Sequence, residues 1–275
     1  MLIRQYGDTD FVTGLRAIAA FMVVAIHTGA FTDFGLIGQT LTDTGKYGVQ
    51  IFFVISGFTV AVTYRGSASF RAYFTRRLFR IAPLYYLICG LVFVALVAGW
   101  LTPNYWMTLY GSAPDAYNAI MHATVLSAWD ARVAASIIGP EWTIPIEVFW
   151  YLCLPALLPF SMARKPFAWT MVALLVLAGV TRAVSEWLLP PHAAHFIPLS
   201  YGGYFLLGAA CLPVREALSG PQHADTRKKL VRAGTGLFLL GLLTDTGFST
   251  VMLALGTAGL IAGLHVPRGA FNPLT

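Results

Sequence analysis

Charge is what this sequence has least of. Asp, Glu, Lys and Arg together supply 11% of its 275 residues, while apolar side chains supply 57% and the mean hydropathy is +0.69. A soluble domain carries about a quarter charged residues, so water is excluded as the main solvent of this chain. Cysteine is scarce as well. Cys89, Cys153 and Cys211 all fall inside apolar stretches without metal-ligand spacing, which reads them as small core residues and leaves the redox compartment open. No internal repeat or low-complexity tract occurs. The first apolar run lacks the small-residue cleavage pattern of a secretory leader and is expected to stay as an anchor. The net charge of +6 does not point to nucleic acid, because the basic residues sit mainly between apolar segments, as the positive-inside rule expects.

Long apolar runs are what the chain has instead. A bilayer core of about 30 Å takes about 20 mostly apolar residues per helix. Runs of this kind fall at 11–30, 48–64, 81–101, 140–160, 166–184, 198–214, 232–245 and 247–264. The expected fold is therefore all-α, a polytopic transmembrane helical bundle of about eight spans in one domain covering residues 1–275. The stretch 116–129 is apolar but short, which suits a re-entrant or interfacial helix better than a crossing. Charge tests that choice. With a cytoplasmic N-terminus and no crossing at 116–129, the cytoplasmic connections hold five arginines in 65–80, then Arg164 and Lys165, then Arg215, Arg227, Lys228 and Lys229. The opposite side keeps little but Lys46. Both termini are accordingly expected in the cytoplasm.

Ionisable groups inside spans are costly, about 2.5 to 3.5 kcal/mol at a helix centre, and are functional candidates by default. Arg16 and His27 stand eleven positions apart in the first span. At about 100° per residue that is three turns plus about 20°, which places both on one face about 16 Å apart along the axis. The alternative for each alone is snorkelling to an interface. Glu147 lies in EWTIPIEVFWYLCLP, where Pro145 removes a backbone donor and is expected to kink or unwind the helix. A structural ion pair with a buried arginine is the alternative there. Glu141, about 240° around the helix from Glu147, is expected at the interface, and His122 among surface or packing residues. The connection RAYFTRRLFRIAPLYY collects Arg71, Arg76, Arg77 and Arg80. Arginine forks suit phosphate, although orientation signals and anionic headgroups account for such a cluster equally well.

These pieces, in this order, resemble the acyltransferase-3 family of integral-membrane O-acyltransferases. The matching elements are GLRAIAAFMVVAIH, GVQIFFVISGF, RRLFRIAPLYY, EWTIPIEVFWYL and YFLLG, and they cover most of the chain. The resemblance implies a multi-pass protein of the bacterial inner membrane. It also implies transfer of an acyl group, most often acetyl, from cytoplasmic acyl-CoA as co-substrate to a hydroxyl of a saccharide or lipid-linked glycan, with no metal. By motif, His27 would be the catalytic histidine and Arg16 would bind the donor. Arg76, Arg77 and Arg80 would hold the CoA phosphates, and Glu147 would orient the histidine or the acceptor. An imidazole is suited to the proton transfer. Departures are visible: Gln50 stands where the family usually has aspartate, and Pro145 and Val148 where it has serine and a second glutamate. Members also continue through two further helices, so a truncated or reduced member is expected. Two other classes fit parts of the pattern. A transporter or flippase for a small anion also places charges in spans, though no inverted repeat is visible. A non-catalytic interaction protein would leave Arg16 and His27 replaceable.

Overall fold

A computed structural model of the chain describes residues 10–161 and 164–265. Among them no strand occurs; every regular element is an α-helix or a short 3-10 turn. The chain forms two compact units. The first comprises residues 1–66, 157–167 and 204–275, the second residues 67–156 and 168–203.

In the first unit, α1 (Asp10–Thr28), α2 (Gly35–Asp43) and α3 (Gly48–Arg65) follow one another. One stripe of α1 is buried, Val12, Leu15, Ala19, Met22 and Ala25, at the three- and four-residue steps of a helix face, while Ile18, Phe21 and Val24 are exposed. An apolar exposed face on an apolar helix is what lipid contact requires.

The second unit begins with α4 (Phe70–Val97), whose start is set by Ser69, its side chain accepting from the N–H of Ala72 at 3.2 Å. That cap adds a correction to the sequence reading: the arginine cluster is not a connection but the opening turns of a 28-residue helix. Three short helices follow, α5 (Tyr105–Tyr110), α6 (Ala116–Ala123) and α7 (Ala131–Ala134). Eight residues of α6 span only about 12 Å, so the expected short helix is there and cannot cross. Asp115 caps its start, and Val125, with φ 59°, lies just past its end.

Next, α8 (Thr143–Ser161) and α9 (Arg164–Leu188) carry long apolar runs. Pro145 does not break α8. It falls in the first turn, where a missing N–H leaves no intrahelical bond unmade, and the helix continues unbroken to Ser161. The remaining helices belong almost wholly to the first unit: α10 (Gly202–Ala217), α11 (Ala224–Leu243) and α12 (Ser249–Gly263). Backbones of α3 and α10 touch. A Cβ on Gly57 would overlap the carbonyl oxygen of Phe205, and one on Gly208 that of Val54.

Among the described residues, five stretches are long and apolar enough to cross a membrane: Phe11–Thr28, Thr32–Arg65, Phe70–Val97, Pro140–Phe160 and Lys165–Leu188. The other three expected spans coincide with α10, α11 and α12, of 16, 20 and 15 residues. Two of these are short, and α11 opens on the charged run ADTRKK.

Candidate active site

In the first unit the sequence candidates are Arg16 and His27, and an uninterrupted α1 carries both. Arg16 is half-buried and its Nη2 donates to Oγ1 of Thr59 on α3 at 3.2 Å. That hydroxyl in turn donates to the carbonyl of Ser56 at 3.2 Å. The guanidinium is thus turned toward a packed neighbour. His27 is exposed, in the last turn of α1, with Nδ1 2.7 Å from the carbonyl oxygen of Val23. A carbonyl only accepts, so Nδ1 is the donor in this contact, and Nε2 is the ring nitrogen left for other partners.

In the second unit the structure separates arginines that the motif groups. Arg76 and Arg80, one turn apart on α4, are exposed, and Arg76 is tied back by bonds to Ala72 O at 3.1 Å and Ser67 Oγ at 2.8 Å. Arg77 points the other way. It is 3% exposed, with its guanidinium carbon 5.7 Å from the centroid of the Tyr151 ring. Tyr151 then joins Glu147: its hydroxyl donates to Oε2 at 3.0 Å along α8. From α4, Tyr73 donates to the Tyr151 carbonyl at 3.0 Å. Glu147 lies within electrostatic reach of the buried Arg77. One oxygen of the carboxylate is thus fixed by a phenol.

One residue of this unit was misplaced by sequence reasoning. Glu141 is not interfacial: its side chain is 1% exposed and stands 3.7 Å, Oε1 to Nε2, from His122, itself 7% exposed. Geometry in the loop before α8 explains this. Gly139 takes φ 116° and turns the N–H groups of Ile137 and Gly139 onto the Glu141 carboxylate, at 2.7 and 2.5 Å. A helical-wheel angle carried back from Glu147 fails because residues 140–142 form a 3-10 turn ahead of the α-helix. Glu141 also lines a cavity of about 300 Å³ with Arg80, Ile81, Leu84, Tyr85 and Ile144. The sequence signal for it is the Gly139-Pro140 pair, a loop marker directly before the acid.

Comparisons with known proteins agree with the motif reading. The chain is 29% identical over 164 residues to acyltransferase MdmB of Streptomyces mycarofaciens, covering 56% of this chain and 40% of that one. It is 30% identical over 190 residues to nodulation protein 10 of Rhizobium leguminosarum bv. viciae, covering 65% and 50%. With the exopolysaccharide production protein ExoZ of Rhizobium meliloti (strain 1021) it shares 28% identity over 268 residues, covering 82% and 83%. The chain therefore spans half or less of the length of the first two. No solved structure matches it. The acyltransferase-3 family, described as an acyltransferase domain, matches residues 9–274, and since that takes in all but the extreme ends of the sequence, the chain belongs to this family.

Proposed function

We propose that this chain is a membrane-embedded O-acyltransferase that moves an acyl group, acetyl in the first instance, from cytoplasmic acyl-CoA to a hydroxyl of a saccharide or lipid-linked glycan. Its place is the bacterial inner membrane, with both termini of the chain cytoplasmic.

The observation that carries this reading is the state of His27. Held at Nδ1 by the Val23 carbonyl, the ring offers Nε2 as a base of fixed direction. From the acceptor hydroxyl it takes the proton as that oxygen attacks the thioester carbonyl. Collapse of the tetrahedral species breaks the C–S bond, and the imidazolium returns its proton to the departing thiolate as CoA–SH.

The remaining roles follow from charge. Arg16 supplies a cation to the donor, and the exposed Arg76 and Arg80 suit its phosphates. Arg77, enclosed against Tyr151, serves Glu147, whose fixed carboxylate suits a hydroxyl-rich acceptor.

Purified protein in liposomes, given acetyl-CoA labelled in the acetyl group and a lipid-linked glycan, tests the assignment. Covalent label on the glycan supports it. Passage of an anionic substrate across the bilayer with no labelled product identifies a transporter instead.

A further inference from the structure

One buried pair takes no part in the chemistry proposed for His27. Glu141 and His122 meet at 3.7 Å with side chains 1% and 7% exposed. Each is fixed from behind. The carboxylate of Glu141 accepts the N–H groups of Ile137 and Gly139, closing the loop that leads into α8. The imidazole of His122 sets Nδ1 at 3.0 Å from the carbonyl oxygen of Asn118 on α6. Because that oxygen only accepts, Nδ1 carries the hydrogen, and Nε2 faces Glu141 with no hydrogen-bond partner of its own. Such an atom in a native interior calls for a reason. The gap is too wide for a hydrogen bond, but a closure of about 1 Å with a proton on Nε2 makes it a charge-assisted one.

We propose that His122 and Glu141 are a positioning pair, which ties α6 to the start of α8 and so sets the direction in which Glu147 presents its carboxylate. This rests on the assignment of Glu147 to acyl transfer. The pair bridges the segment that carries α7, and Glu141 lies in the 3-10 turn Pro140–Trp142 that feeds directly into α8. Glu147 follows six residues later, less than two turns away, so a rotation or slide of the start of α8 reaches it undamped. Around the pair stand groups that hold rather than replace it. The hydroxyl of Tyr85 on α4 donates to the carbonyl of His122 at 3.3 Å. Asn118 bonds Ser136 at 2.9 Å. Arg80, Tyr85 and Cys89 line the same cavity as Glu141. Buried polar pairs are weak sources of stability, and their best-attested use is to set register, which is the service asked here.

The test uses the full chain in liposomes with His122→Gln and Glu141→Gln. Each is expected to lower kcat about tenfold with KM for the donor unchanged. In a Glu147→Asp background the same changes are expected to add little, because they act through Glu147; losses that multiply across the two sites overturn the proposal. Rescue supplies a further arm. His122→Lys sets a cation facing Glu141 and should recover much of the lost rate, whereas a histidine that merely packs is not replaced by lysine. An arm independent of turnover uses Glu147→Cys in a chain whose three native cysteines are alanine, with the rate of reaction toward a water-soluble maleimide as readout. Adding His122→Gln should change that rate at least threefold. An unchanged rate overturns the positioning role. If the wild-type chain transfers no acyl group, the enzymatic reading of Glu147 fails while this arm still decides the geometry.

Discussion

The hydroxyl of Tyr151 donates to Oε2 of Glu147 at 3.0 Å, one turn away on α8, while the ring of the same tyrosine lies under the guanidinium of Arg77. One side chain therefore serves the carboxylate by its oxygen and the arginine by its face. Tyr151→Phe separates the two, since the ring stays and the hydroxyl goes. The expected result is a five- to tenfold lower kcat, from about 1 to 1.5 kcal/mol of lost hydrogen bonding, with the yield of folded protein unchanged. Tyr73 bonds the Tyr151 carbonyl, so the backbone anchor survives in Tyr151→Phe. Initial rates at saturating donor measure it. A variant as fast as wild type would free Glu147 from any dependence on the phenol.

On α1 the two candidates should fail differently. Loss of a general base removes a hundredfold or more of rate, so His27→Ala is expected to abolish transfer while expression and membrane insertion remain normal. Arg16→Ala should chiefly raise KM for the donor, about tenfold. Thr59→Ala should do less, because it removes only the group that receives the Arg16 fork at 3.2 Å. Wild-type acylation in a His27→Ala strain would remove His27 from the chemistry.

Periodicity and charge made the helical class, the short helix near 116 and the continuity of α1 readable in advance, because each depends on local pattern alone. Other features depend on a single neighbouring residue. Ser69 starts α4 far enough upstream to put Arg76, Arg77 and Arg80 on a helix, where the 100° step sends Arg77 inward and leaves the other two exposed. A cluster read as one phosphate site is thereby split. Pro145 was expected to disrupt α8 and does not, since only its position relative to the helix start decides that. Glu141 was hidden by a 3-10 turn and a glycine at positive φ, neither of which a helical wheel represents. The pairing of Lys46 with Asp245 at 2.9 Å joins residues 199 apart and has no local signal at all.

Acid stability gives a prediction with a definite sign. Outside the long apolar stretches, Asp130 accepts from the Arg132 guanidinium at 2.6 Å and from the Tyr117 hydroxyl at 2.7 Å. The Arg132 guanidinium, above all, holds the Asp130 carboxyl down at about 2 from its ordinary 3.8. A folded value below the unfolded one means stabilisation that is complete above about pH 4 and lost as pH falls through about 2. Asp130→Asn should lower stability by about 1 kcal/mol at pH 7 after allowance for solvent screening, with no change in that difference between pH 8 and pH 5. Thermal unfolding in detergent across this range measures it. A difference that shrinks between pH 8 and pH 5 would assign the effect to another group.

Helix contact in the first unit yields the sharpest contrast between substitutions of one kind. Gly208 on α10 sits against the backbone of α3, where an added Cβ meets the carbonyl oxygen of Val54, and Gly57 on α3 meets that of Phe205 in the same way. Neither clash is relieved by turning a side chain, because the atoms struck are backbone. The helices must move apart, which forfeits the contacts that close packing gives small residues in apolar surroundings. Overpacking of this kind costs about 1 to 3 kcal/mol, and Gly208→Ala is expected at the upper end. Gly90 on α4 is the control: nothing lies within 4 Å of its added Cβ, so Gly90→Ala should be neutral or stabilising by up to about 1 kcal/mol through helix propensity. The double variant Gly57→Ala/Gly208→Ala should lose less than the sum of its parts, since one opened gap accommodates both methyls. Thermal unfolding of the wild type and the four variants in one detergent, with monodispersity as a second readout, decides it. Equal losses at 90 and 208 would mean that the approach of α3 to α10 contributes nothing.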